Sequence, residues 1–194
     1  MSAVHEVIYL HGLESGPTGR KGSWLSQHHG AYAVDLDTRH ARASYQRAAA
    51  QGVRWGHQWP DIEEDLRVPL ERATAAIGPE TRVIVGSSFG GALLTRLIDE
   101  GIWNGPSLFI ASAGLKLIGS TRLPQGAPMI LLHGRGDSVI PLEDARTIAA
   151  NSGPNVILWE IDDDHRMASI MPSGILDLAL DYLLRSHATG SSEP

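Results

Sequence analysis

A chain of 194 residues, 42% hydrophobic and 20% charged, has the size and balance of one domain whose core needs no covalent staples. Its formal charge of −6 argues against a surface that tracks nucleic-acid phosphates and against adhesion to anionic membranes. The lack of cysteine excludes disulfides, thiolate nucleophiles and cysteine-based zinc sites. No basic, apolar leader opens the sequence and no run approaches ~20 apolar residues, so the expectation is a cytoplasmic protein.

In chain order, the β-like runs are Val7–Leu10, Ala31–Val34, Arg82–Val85, Ser107–Ile110, Met129–Leu132 and Val156–Trp159. Most are apolar at consecutive positions, the pattern of strands buried on both faces. Helical stretches fall between them. Ala41 to Gln51 is one candidate, within an irregular segment from Thr38 to Pro60 that carries Tyr45, Trp55, His57 and Trp59. Asp61 and Glu64 have the spacing of a capping box, and Ile62, Leu66, Leu70, Ala73 and Ile77 follow at helical spacing until Gly78-Pro79. Pro69 should kink that helix. Ala92 to Glu100 is a further helix, Pro141 suits a first helical position, and Ile175, Leu176, Leu180, Leu183 and Leu184 mark the last one. The alternation predicts an α/β protein with a doubly wound, mostly parallel six-stranded sheet and helices on both faces. A single domain over 1–185 is expected, with a disordered polar tail over 186–194.

The chemistry concentrates at strand ends. Gly86-Ser87-Ser88-Phe89-Gly90-Gly91 lies between a strand and a helix. Such a sharp turn lifts a serine to the edge of a sheet, and small neighbours relieve the crowding. Ser88 has glycine two residues away on both sides; Ser87 does not. The alternative for this segment is a glycine-rich helix entry that binds phosphate, but it lacks the Walker lysine and dinucleotide spacing.

A serine hydroxyl needs a base, and the base needs a partner to orient it. Downstream histidines are His133, His165 and His187. His165 follows the last strand, His133 suits the ordering of its own turn, and His187 falls in the tail. Asp137 follows the fifth strand in a glycine-rich turn, where a helix-capping role is the alternative. Asp162, Asp163 and Asp164 are fallback acids. Their adjacency fits metal binding poorly, so no metal and no cofactor are expected. Negative charge on an acyl oxygen would be met by backbone N–H groups of Phe89 and Leu13, the latter in His11-Gly12-Leu13 after the first strand. His11 reads as a structural loop histidine.

Together these segments resemble the α/β-hydrolase superfamily, from His11-Gly12 through Ser88 and Asp137 to His165. His11-Gly12-Leu13 with Ser15, Pro17 and Lys21 is similar to the opening of small bacterial esterases in it. The resemblance implies an all-parallel sheet without the two leading strands of the full fold, and a Ser88–Asp137–His165 triad. Ser112 to Pro128 leaves no room for the helical lid of many relatives. That absence favours short or medium acyl esters or thioesters over long-chain triglycerides. Tyr45, Trp55 and Trp59 are candidate walls of the acyl pocket, or else pack their long loop onto the domain. Alternatives are an amidase or peptidase with the same residues, or a non-catalytic binding protein on the fold. The expected partner is a small ester or thioester; nucleic acid and membranes are not expected partners, and oligomeric state is open.

Overall fold

The computed structural model describes residues 5–52, 59 and 61–190, with side chains as far as 186. Six strands, β1 (Val7–Leu10), β2 (Tyr32–Val34), β3 (Val83–Ser87), β4 (Ser107–Ile110), β5 (Met129–Gly134) and β6 (Val156–Ile161), form one sheet of order β2-β1-β3-β4-β5-β6. Every pair is parallel. The direction of winding reverses between β1 and β3, so the crevice that α/β sheets use for ligands lies at the C-terminal ends of these two strands.

The continuous apolar runs divide between two cores by the pleat. Ile8, Leu10, Ile84, Phe109 and Leu131 face one side, and Val7, Tyr9, Val85, Leu108 and Ile130 face the other. Helices α2 (Arg39–Ala50), α3 (Ile62–Ala76), α4 (Phe89–Asp99), α5 (Gly114–Ile118) and α6 (Leu142–Asn151) supply the first core, with Leu66, Leu93, Leu97 and Ile148 among its members. α1 (Arg20–His29) and α7 (Ile175–Gly190) supply the second through Leu25, Leu176, Leu180 and Leu183. Each fully buried leucine contributes roughly 1.5–3 kcal/mol. No described helix is long and apolar enough to cross a membrane.

Several local expectations shift. α4 starts at Phe89 rather than Ala92, because the turn at Ser88 passes directly into helix. α2 starts at Arg39 rather than Ala41. The Asp61 side chain caps nothing, and Glu64 pairs with Arg67 instead of reaching back to it. Pro141 stands just before α6 rather than at its first position. Two helices, α1 and α5, were not expected from hydrophobic periodicity. α7 continues to Gly190, past the boundary set at 185, and 191–194 lie outside the described residues. Between β4 and β5 the chain has room for only the five-residue α5.

Candidate active site

Three strand ends bring the candidate residues together. β3 delivers Ser88 in a conformation of φ 53° and ψ −111°, which costs a non-glycine residue about 1–3 kcal/mol. The turn closes this tightly only with glycines flanking it. A Cβ on Gly86 would stand 2.5 Å from the Gly90 carbonyl oxygen, and one on Gly90 would collide with the Leu10 carbonyl. The Ser88 N–H donates to Ile110 O at 2.9 Å, and the Ser88 carbonyl accepts from Gly91, Ala92 and Ala113. Its backbone is thus fixed on both sides while its hydroxyl is left to the site.

Ser88 Oγ lies 3.1 Å from His165 Nε2, and His165 Nδ1 lies 2.8 Å from Asp137 Oδ2. Asp137 follows β5, and its other oxygen accepts the N–H groups of Val139 and Ile140 at 2.9 and 2.8 Å. Burial works against its charge, but the His165 ring and those two N–H groups outweigh it and hold its carboxyl below the usual carboxylate range. An ionised Asp137 fixes Nδ1 as the protonated ring nitrogen and leaves Nε2 facing the serine as acceptor. Asp137 does not cap α6, whose N-cap Pro141 receives no side-chain hydrogen bond; the carboxylate serves the preceding turn and the histidine.

The loop that carries His165 packs onto β5 at Gly134, where a Cβ would stand 2.5 Å from Asp163 O. The acidic run builds this loop. Asp163 accepts the N–H and hydroxyl of Ser169 and the N–H of Asp164, and Asp164 accepts the N–H of Arg166. Neither makes a hydrogen bond to the ring of His165, and no group of three or more acids and histidines able to hold a metal occurs among the described residues. His133 is buried and donates from Nε2 to Ile140 O at 2.9 Å, so it orders the Asp137 turn as the sequence suggests.

Ser87, the rival serine, is turned toward the buried hydroxyl of Tyr9. Burial pushes that phenol well above its ordinary range, so it stays protonated as a hydrogen-bonding group. The His11-Gly12-Leu13 turn lies beside the serine: a Cβ on Gly12 would be 3.6 Å from Ser88 Cβ. His11 Nδ1 donates to Gly12 O at 2.9 Å, and His11 Nε2 accepts from the Leu36 N–H at 3.4 Å. A trans peptide carries its C=O and N–H on opposite sides, so the bond to Gly12 O turns the Leu13 N–H away from His11. Thr38 and Arg42 hold the Leu13 carbonyl at 3.0 and 2.9 Å. Among the described residues, no acceptor takes the N–H of Leu13 or of Phe89. Two fixed donors of this kind can stabilise an oxyanion.

A cavity of about 1060 Å³ opens over Ser88 and His165, with Leu13 and Tyr45 in its lining. Trp59 is not in the lining. It is buried behind Tyr45, with ring centroids 5.3 Å apart, and its indole N–H donates to Asp65 at 2.6 Å and Ser44 at 3.3 Å. Of the two readings of Trp59, loop packing is the one this placement fits. Trp55 lies outside the described residues, as do His57 and the His187 side chain. One contact was not foreseen. The Lys21 ammonium donates to Arg166 O at 2.8 Å, tying α1 to the residue after His165. Burial pulls Lys21 below its ordinary range, against the pull of Asp163 and Asp164.

No family model matches the sequence, and no curated protein matches it either. Solved structures do. A protein of Xanthomonas campestris assigned to the α/β superfamily of hydrolases is 22% identical, with TM-score 0.65, over 93% of this chain and 98% of its own. Mouse alpha/beta hydrolase domain-containing protein 10 is 18% identical, with TM-score 0.68, over 92% and 89%. The chain has the α/β-hydrolase fold. A third structure with this hydrolase fold, the monoacylglycerol lipase of Paleococcus ferrophilus, is 14% identical with TM-score 0.63 over 95% and 96%. Within the α/β-hydrolase fold, the strand order here is that of the common core from its third strand onward, as the sequence resemblance implied.

Proposed function

We propose that the protein is a serine hydrolase of carboxylic esters or thioesters with short or medium acyl groups. The observation that carries this reading is the hydrogen-bonded chain Ser88–His165–Asp137, at 3.1 and 2.8 Å, on the C-terminal edge of the sheet. Ser88 Oγ attacks the acyl carbon as His165 Nε2 takes its proton. The acyl oxygen gains charge and is met by the N–H groups of Phe89 and Leu13. His165 then returns the proton to the departing alcohol or thiol. Water, activated by the same nitrogen, releases the acid from Ser88. No metal or cofactor enters these steps. Substrate reaches the serine, in the cytoplasm, through an open cavity that carries no lid in the β4–β5 connection.

A panel of p-nitrophenyl esters from acetate to laurate, with matched thioesters and anilides, tests the reading. Esters or thioesters should be cleaved with kcat/KM highest at short or medium chains, and Ser88→Ala should abolish turnover. Faster cleavage of the anilides would move the protein to the amidases. No Ser88-dependent turnover of any member would leave the fold as a binding scaffold.

A further inference from the structure

The cavity over Ser88 is charged opposite to the molecule as a whole. Net charge is −6, yet Arg20, Lys21, Lys116 and Arg166 line the cavity against one carboxylate, Glu14. Seven of the described arginines meet a carboxylate. Arg20 and Arg166 are both exposed, and among the described residues neither meets one. Lys21 and Lys116 instead donate to main-chain oxygens, those of Arg166 and Val139. The nearby Asp163 and Asp164 are outside the lining; they keep their charge and act on Lys21, which leaves Arg20, Lys116 and Arg166 facing the cavity against Glu14. Cations without a carboxylate partner around a cleft concentrate anions there.

Their position says which part of a substrate they meet. Arg166 follows His165 in the chain, Lys21 holds the Arg166 carbonyl, and Arg20 adjoins Lys21. In acyl transfer the leaving group stands against His165, because Nε2 must protonate it. The acyl chain extends away from that side. Cations at the His165 loop therefore face the alcohol or thiol.

Resting on the hydrolase reading above, we propose that the preferred substrates are esters or thioesters whose alcohol or thiol carries an anionic group, a phosphate or a carboxylate, held at the cavity rim by Arg20 and Arg166. The anion takes no part in bond making. The bond from Ser88 Oγ to the acyl carbon forms, the bond from that carbon to the leaving oxygen or sulfur breaks, and the serine proton passes through His165 to the leaving atom. Guanidinium groups suit such anions because their forked donors match two oxygens at once.

The test compares 4-acetoxyphenyl phosphate and 4-acetoxybenzoate with neutral methyl 4-acetoxybenzoate, each kcat/KM normalised to that ester's alkaline hydrolysis. At low salt either anion should be preferred by on the order of tenfold, the scale of two exposed ionic contacts, and the preference should shrink as salt is added. In the double variant Arg20→Gln/Arg166→Gln the ratio should fall toward one. Arg185→Gln, an exposed arginine on α7 away from the cavity, should leave the ratio unchanged. Binding of 4-hydroxyphenyl phosphate to Ser88→Ala protein, by calorimetry, reads the same rim without turnover and should weaken in the arginine double variant. If the neutral ester is cleaved through Ser88 without an anion preference, this proposal is overturned while the hydrolase stands. If nothing is cleaved but the phosphate binds through the two arginines, the anion site stands and the hydrolase reading falls. Neither preference nor binding overturns the site.

Discussion

At Ser88 the backbone holds strain that only the surrounding hydrogen bonds sustain. A φ of 53° on a serine persists because Ile110, Gly91, Ala92 and Ala113 fix both of its peptide groups. Removing the hydroxyl should cost ~10⁴-fold or more in kcat, since among the described residues no other hydroxyl is hydrogen-bonded to His165, and should leave the fold intact. Asp137→Asn should cost about 10⁴-fold in kcat, because an amide can hold the histidine in the wrong tautomer. Circular dichroism beside ester kinetics would separate loss of chemistry from loss of fold. His11 makes a different test. Burial lowers its pKa from the ordinary value of about 6.5, so the unfolded chain binds a proton more readily than the folded one. Its contribution to stability is complete above pH ~6.5 and is lost as pH falls from there toward the lowered folded value. Thermal midpoints measured from pH 7.5 to 5 should decline, and His11→Gln should flatten the decline at a lower starting stability. A slope unchanged by His11→Gln would count against this assignment.

At the scale of elements, the site is where separate segments are pinned to one another. Gly134→Ala should destabilise by about 2 kcal/mol or more and lower kcat, because the His165 loop lies on that glycine. Lys21→Met removes the donor to Arg166 O and should lower kcat roughly tenfold through a less fixed His165, with little change in KM for neutral esters. An equal rise in KM would mean that Lys21 acts on substrate instead. The inner strands were legible because parallel strands buried on both faces read as unbroken apolar runs, and Ser88 and Asp137 follow two of these, β3 and β5. His165 follows β6, an edge strand that is apolar in sequence although only its first residue is buried. α1 was not: Arg20–His29 is mostly polar, and only Gly22 and Leu25 of it are buried. α5 is too short to show a period. The bond from Lys21 to Arg166 spans 145 residues and leaves no local pattern. Trp59 could be wall or plug from the sequence. Asp65, one helical turn into α3, draws its indole N–H inward and makes it a plug.

For the whole molecule, the connection between β4 and β5, where many relatives of this fold carry a lid, holds only the five-residue α5, and among the described residues α2 reaches the cavity through Tyr45 and Ala49. On the proposed hydrolase reading, a β4–β5 connection this short offers no lid for an oil–water interface to open. Hydrolysis of a sparingly soluble ester should therefore follow the dissolved concentration smoothly, with no jump as the solubility limit is passed. A sharp rise at that limit would point to a covering segment.

The claim that joins these scales is that Ser88 is a nucleophile activated by His165. It is tested most directly by reacting the protein with a fluorophosphonate and mapping the adduct by peptide mass spectrometry. The expected result is one adduct, on Ser88, absent in Ser88→Ala and strongly slowed in His165→Gln. An unlabelled wild-type protein, or an adduct that persists in Ser88→Ala, would contradict it.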